Sequence, residues 1–186
     1  TFSGTDIHMD PGETGFDVPT GKTLELTQNA YVHGVSGNAC NCLWRGIYVN
    51  GGELKFSATS VTSATVEDAL YAVRVFESST LGLKRVIFNK NFVSLRASDG
   101  DFLLTNNEQN EYDGTGPLKN ICGLANLNDL AIMPYFGGAW ATVPYSNERG
   151  YTGWYIRNLT AITLTPLSFP KYNHFRALSK GIEVYD

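Results

Sequence analysis

Two groups of residues in this sequence have types and spacing that could do chemistry. The first is acidic: Asp99, Asp101, Glu108, Glu111 and Asp113 crowd into one polar stretch. Hard carboxylate oxygens around a turn suit calcium, and Asp99-Gly100-Asp101 supplies a tight turn, so Asp99, Asp101 and Asp113 are the expected ligands if calcium binds. No other cofactor is expected, and the EF-hand spacing is absent. Two carboxylates about 5–10 Å apart are also what hydrolysis of a glycosidic bond requires. Asp99 with Asp101, or Glu108 with Asp113, are the pairs to consider. Against both stands the plain account of a solvated loop, which the surrounding Asn, Gln and Gly favour.

The second group is aromatic. Tyr135, Phe136, Trp140, Tyr145, Tyr151, Trp154 and Tyr155 follow closely on one another, with Asn147 and Arg149 among them. Flat aromatic faces with a polar edge can stack on sugar rings, and the Asn and Arg can hydrogen-bond hydroxyls or carboxylates. Tyr135, Phe136, Trp140, Tyr145, Asn147, Arg149, Tyr151 and Trp154 therefore form the candidate glycan-binding set. The competing account folds these rings inward as a satellite core. His8, His33 and His174 are too scattered for a readable metal or acid–base motif. Nucleophile elbow, phosphate loop and zinc spacing are all missing. Asn158-Leu-Thr160 fits a glycosylation sequon.

These residues need a scaffold, and the composition limits which. The chain has 186 residues, enough for one domain with a sizeable core, and carries a net charge of -4 with only 17% charged residues. Low charge with 19 glycines suits a secreted all-β protein. The negative net charge argues against a nucleic-acid partner, and no basic stripe offsets it; no apolar run reaches the length of a membrane span. Cys40 and Cys42, two apart in a strand, would hold their Cα atoms about 6.5–7 Å apart, at the limit for a bridge. Buried free thiols are expected, with a bridge from either to Cys122 left open. The start, Thr-Phe-Ser-Gly-Thr-Asp, has no leader character, and Gly181-Ile-Glu-Val-Tyr-Asp186 reads as mid-strand. The chain is expected to be a fragment of a larger protein.

Short apolar pairs repeat along the chain. Leu54/Phe56, Val73/Val75, Leu81/Leu83, Val86/Phe88 and Val93/Leu95 each place two side chains on one face of a strand. Leu54-Lys-Phe56 matches Leu81-Gly-Leu83, and Val66 to Val75 matches Phe88 to Arg96 at an offset of about 21–22. A period in the twenties marks a solenoid of short parallel strands. Lys22 to Thr27, Ala30 to His33, Trp44 to Val49 and Glu53 to Phe56 are further strands, and the residues up to Gly15 look irregular. Asn89 and Asn91 occupy a polar corner where side-chain amides can bridge neighbouring coils. Glu67 and Asp68 occupy the matching corner and are expected to be solvated. Residues 98–153 break the rhythm and are expected to form a loop insert, which 154–186 then leave. The alternative fold is an antiparallel β-sandwich, with Asn50-Gly51 as a hairpin turn.

Trp44-Arg-Gly-Ile-Tyr-Val, Leu54-Lys-Phe, Val66-Glu-Asp-Ala-Leu-Tyr-Ala-Val and Val86-Ile-Phe-Asn-Lys-Asn-Phe-Val-Ser-Leu resemble a right-handed parallel β-helix. The repeat is similar to that of large secreted or surface proteins of gliding and gut-type Bacteroidetes, and Asn173 to Ile182 resembles one more turn. The resemblance implies an all-β solenoid, secretion or a cell-surface location, and a scaffold, adhesion or carbohydrate-active role. Active members of such families are polysaccharide lyases or glycoside hydrolases, and neither motif can be placed here residue by residue.

The expected function is thus a non-catalytic scaffold or adhesion segment that binds polysaccharide through the aromatic insert. A lyase or hydrolase with a surface-loop cleft is the alternative, and a phage or viral fibre domain is a second. Further coils of the same protein, or another chain, are expected to cover the C-terminal end of the stack.

Overall fold

The computed structural model describes residues 1–35, 41–59, 61–98, 100–119, 150–159 and 172–185. The chain runs through successive coils of three short strands. The first coil holds β1 (Phe2–Ser3), β2 (Asp6–Met9) and β3 (Gly12–Pro19), and the second β4 (Thr23–Thr27), β5 (Tyr31–Gly34) and β6 (Trp44–Asn50). The third holds β7 (Glu53–Ser57), β8 (Ala64–Glu67) and β9 (Ala69–Val75), and the fourth β10 (Thr80–Lys84), β11 (Val86–Asn89) and β12 (Val93–Ser98). Then come β13 (Leu103–Glu108), β14 (Glu111–Asp113) and β15 (Gly150–Arg157), followed by β16 (His174–Arg176) and β17 (Leu178–Tyr185).

Each strand pairs in parallel with its counterpart one coil on. The result is three sheets, ordered β1-β4-β7-β10-β13, β16-β14-β11-β8-β5-β2 and β17-β15-β12-β9-β6-β3. The protein is a parallel β-helix. The antiparallel sandwich is excluded, because Asn50-Gly51 turns a corner from the third sheet into the first instead of joining a hairpin.

Inward residues stack in rows, as a period-2 strand repeated every coil requires. In the first sheet Leu24, Leu54, Leu81 and Leu104 are in register. In the second sheet the row is Ile7, Val32, Val66, Phe88, Tyr112 and Phe175. Its aromatic end is stacked, with Phe88–Tyr112 and Tyr112–Phe175 centroids 5.1 and 4.5 Å apart. Full burial of each such side chain is worth about 1.5–3 kcal/mol, and no coil could obtain it alone.

Corners are compact. Single residues in the left-handed region, Asp68 (φ 63°), Arg85 (φ 56°) and Ala177 (φ 50°), separate consecutive strands. Asn91 bridges coils as expected: its side-chain oxygen accepts from the Ala69 N–H at 2.9 Å and its amide donates to the Val66 carbonyl at 2.8 Å. Asn110 does the same at another corner, accepting from Val86 N–H and donating to the Leu83 carbonyl. Gly46 lies where β6 crosses close to β9; a Cβ there would sit 1.6 Å from the Tyr71 carbonyl oxygen.

Three expectations change. Residues before Gly15 are not irregular: they form β1, β2 and the start of β3, polar in sequence because few of their positions face the core. The insert does not begin at residue 98, because β13 and β14 continue the first two sheets, with Leu104 and Tyr112 in the inward rows. Cys42 is not a free thiol; it is disulfide-bonded.

Candidate functional site

The acidic and aromatic residues singled out above do not assemble into one site among the described residues. Tyr135, Phe136, Trp140, Tyr145, Asn147, Arg149 and Asp99 lie outside them, and Tyr151 is described only as part of β15. Trp154 is 1% exposed and points into the core, edge-on to Tyr112 at 6.2 Å, so no sugar can stack on it. Asp101 is exposed just before β13, and its carbonyl accepts from the Ser78 N–H. Asp113 ends β14, where it accepts from Arg176 at 3.0 Å and from the Thr115 N–H at 2.8 Å. Arg176 also pairs with Glu111, and Glu108 with Lys84.

What does converge is the outward face of the second sheet. Residues two apart on a strand share that face, and parallel register repeats them from coil to coil. One outward row reads Asp6, Tyr31, Thr65, Ile87, Glu111, His174; the next reads His8, His33, Glu67, Asn89, Asp113, Arg176. Ionisable groups thus lie in ladders.

At the first two rungs, Asp6, His8 and His33 bring one donor atom each to within 4.8 Å of one another. His33 Nε2 is 2.8 Å from Asp6 Oδ1, and His8 Nε2 is 3.5 Å from Asp6 Oδ2. The buried His33 ring is stacked on Tyr31, with centroids 4.2 Å apart. Its Nδ1 lies 3.0 Å from the Gly34 carbonyl oxygen, which also accepts from Lys119 at 3.0 Å.

The next rungs are ionic. The Tyr31 hydroxyl donates to Glu67, and Lys90 reaches the other Glu67 oxygen at 3.0 Å. Burial works to raise the Glu67 carboxyl, but the hydrogen bonds from Tyr31 and Lys90 outweigh it and hold the group below its usual value. Burial, with Glu67 nearby, drives the Tyr31 hydroxyl above its own usual value. Asp68 turns inward at the corner, where Lys119 meets it at 2.8 Å; burial nonetheless leaves its carboxyl raised. Glu67 and Asp68 are therefore not the solvated pair that the sequence suggested.

His8 and His33 were passed over because the eye seeks ligands close in sequence. Their separation equals one coil, as their register pairing shows, and Asp6 lies two residues before His8 on the same face. Coil periodicity, applied to polar residues as well as apolar ones, would have found them.

No family model matches the chain, and neither curated proteins nor solved structures give a match. Among the described residues no helix is long and apolar enough to cross a membrane.

Proposed function

We propose that this chain is a non-catalytic scaffold or adhesion segment of a secreted or cell-surface β-helical protein. One observation carries the reading. Five described acids that could have served an active site are instead committed to cations: Glu67 to Lys90, Asp68 to Lys119, Glu108 to Lys84, Glu111 and Asp113 to Arg176. All five contacts join residues from different coils, so they reinforce the stack. The disulfide at Cys42 supports an oxidising compartment. The resemblance to surface β-helix repeats rests on the quoted strand and corner motifs, now found stacked in register.

Glycan binding belongs to the aromatic stretch, with Trp140 its largest candidate platform. The exposed inward-row residues Phe175, Ile182 and Val184 support docking of further coils or another chain at that end of the stack.

The test is to incubate the purified chain with neutral and acidic polysaccharides, with and without calcium. New reducing ends and unsaturated uronate absorbance are followed beside equilibrium binding. Binding without turnover, weakened by Trp140→Ala, is the expected result. Sustained turnover would replace the scaffold with a lyase or hydrolase.

A further inference from the structure

We propose that Asp6, His8 and His33 bind a late first-row divalent metal ion, clasping the first coil to the second. Two imidazole nitrogens and one carboxylate oxygen form a donor set suited to Zn²⁺, Co²⁺ or Ni²⁺ and poorly suited to calcium or magnesium. The site is thus chemically distinct from the calcium ligands considered for Asp99, Asp101 and Asp113.

The geometry fits. Ligand atoms about 2.0–2.2 Å from one zinc ion sit roughly 3–3.5 Å from each other. Here the two imidazole nitrogens lie 2.8 and 3.5 Å from different oxygens of the Asp6 carboxylate, and one donor atom from each residue lies within 4.8 Å of the other two. The Asp6 and His8 side chains, 59% and 56% exposed, have room for the small adjustment that remains. The anchor is rigid: His33 is buried, stacked on Tyr31, and Tyr31 is itself tied to Glu67.

His33 also carries the partner that oriented metal ligands need. A carbonyl oxygen only accepts, so the contact with Gly34 places a proton on Nδ1. In the neutral ring Nε2 then turns its lone pair towards Asp6 Oδ1, itself an acceptor. Two acceptors 2.8 Å apart need a cation between them, either a second ring proton or a metal ion, and only a metal ion can be shared with the nearby His8. The exposed side of the cluster leaves coordination positions open to water or to a ligand from solution.

The experiment uses the whole chain after dialysis against chelator. Zn²⁺ alone is titrated calorimetrically, and Co²⁺ is followed by its visible absorption. One ion per chain is expected, with a rise in Tm on binding. His8→Ala and Asp6→Asn, both at exposed side chains, should keep the parent's circular dichroism and weaken Zn²⁺ binding by at least about tenfold. His174→Ala, an exposed histidine elsewhere on the same sheet face, should leave binding unchanged. No saturable binding by millimolar Zn²⁺ would overturn the proposal. Binding that survives both His8→Ala and Asp6→Asn, or that falls with His174→Ala, would overturn it equally.

Discussion

The outward faces of the second and third sheets are built by the same stacking rule and end in opposite states. On the third sheet, Asp17, Tyr48, Arg74, Arg96, Tyr155 and Glu183 are in register. Strands β9 and β12 are buried on both faces, and Arg74 and Arg96 are only 8% and 2% exposed. Their guanidiniums lie against rings: Arg74 is 4.6 Å from the Phe76 centroid, and Arg96 is 5.0 Å from that of Tyr71. On the second sheet the same outward positions carry Asp, His, Glu and Arg, most of them in ion pairs, and several stay open to water. A charge beside an aromatic ring can be enclosed, because the ring face offers attraction without needing solvent. A charge beside an opposite charge keeps much of its stability while half exposed. One face therefore became core, and the other kept groups free to meet a ligand.

The largest expected break in this contrast is at Arg96. Arg96→Ala removes a buried guanidinium that donates to the Tyr71 hydroxyl at 3.0 Å, leaving a void among rings. It should cost about 3 kcal/mol in urea unfolding. A cost as small as that of an exposed ion pair would mean the face is not truly core.

Asn91, at the corner where the two sheets meet, comes next. Asn91→Ala strands the Ala69 N–H and the Val66 carbonyl in a buried position. A loss of about 2 kcal/mol is expected, read by the same unfolding curve.

The smallest effect belongs to the open face and is best seen against pH. Glu67 is held below its ordinary value of 4.5, so its contribution is present above that value and fades as pH falls through its folded one. Glu67→Gln should cost about 1 kcal/mol at pH 7 and flatten the acid limb of the stability curve. Asp68, raised from 3.8, acts with the opposite sign: the folded state takes up its proton more readily, so its contribution declines as pH rises through that window. Asp68→Asn should therefore steepen the acid limb. Matching limbs in the two variants would show that the two carboxyls do not differ as described.

Much of the fold was legible because apolar spacing reports directly on stacking. Leu54 and Leu81, and Val66 and Phe88, proved to be register partners, and Asn91 proved to be a bridging corner. The early strands hid because Ile7 and Met9 are nearly the only apolar markers in β2. The coil containing β13 and β14 hid because β13 is edge-placed and largely polar, so Leu104 and Tyr112 looked like loop residues. Trp154 was read as a surface platform because a ring's type does not say which face of its strand it occupies.

By itself the sequence determined the class, the coil period and the inward rows, since alternation along a strand and repetition between coils are both written in residue order. Tertiary structure alone decided which polar residues meet. Asp6 joins His8 and His33, Tyr31 meets Glu67, and Lys119 reaches back to Asp68 and Gly34. The reason is geometric: adjacent coils lie about 4.8 Å apart in space, while their loops set a separation in sequence that varies from coil to coil.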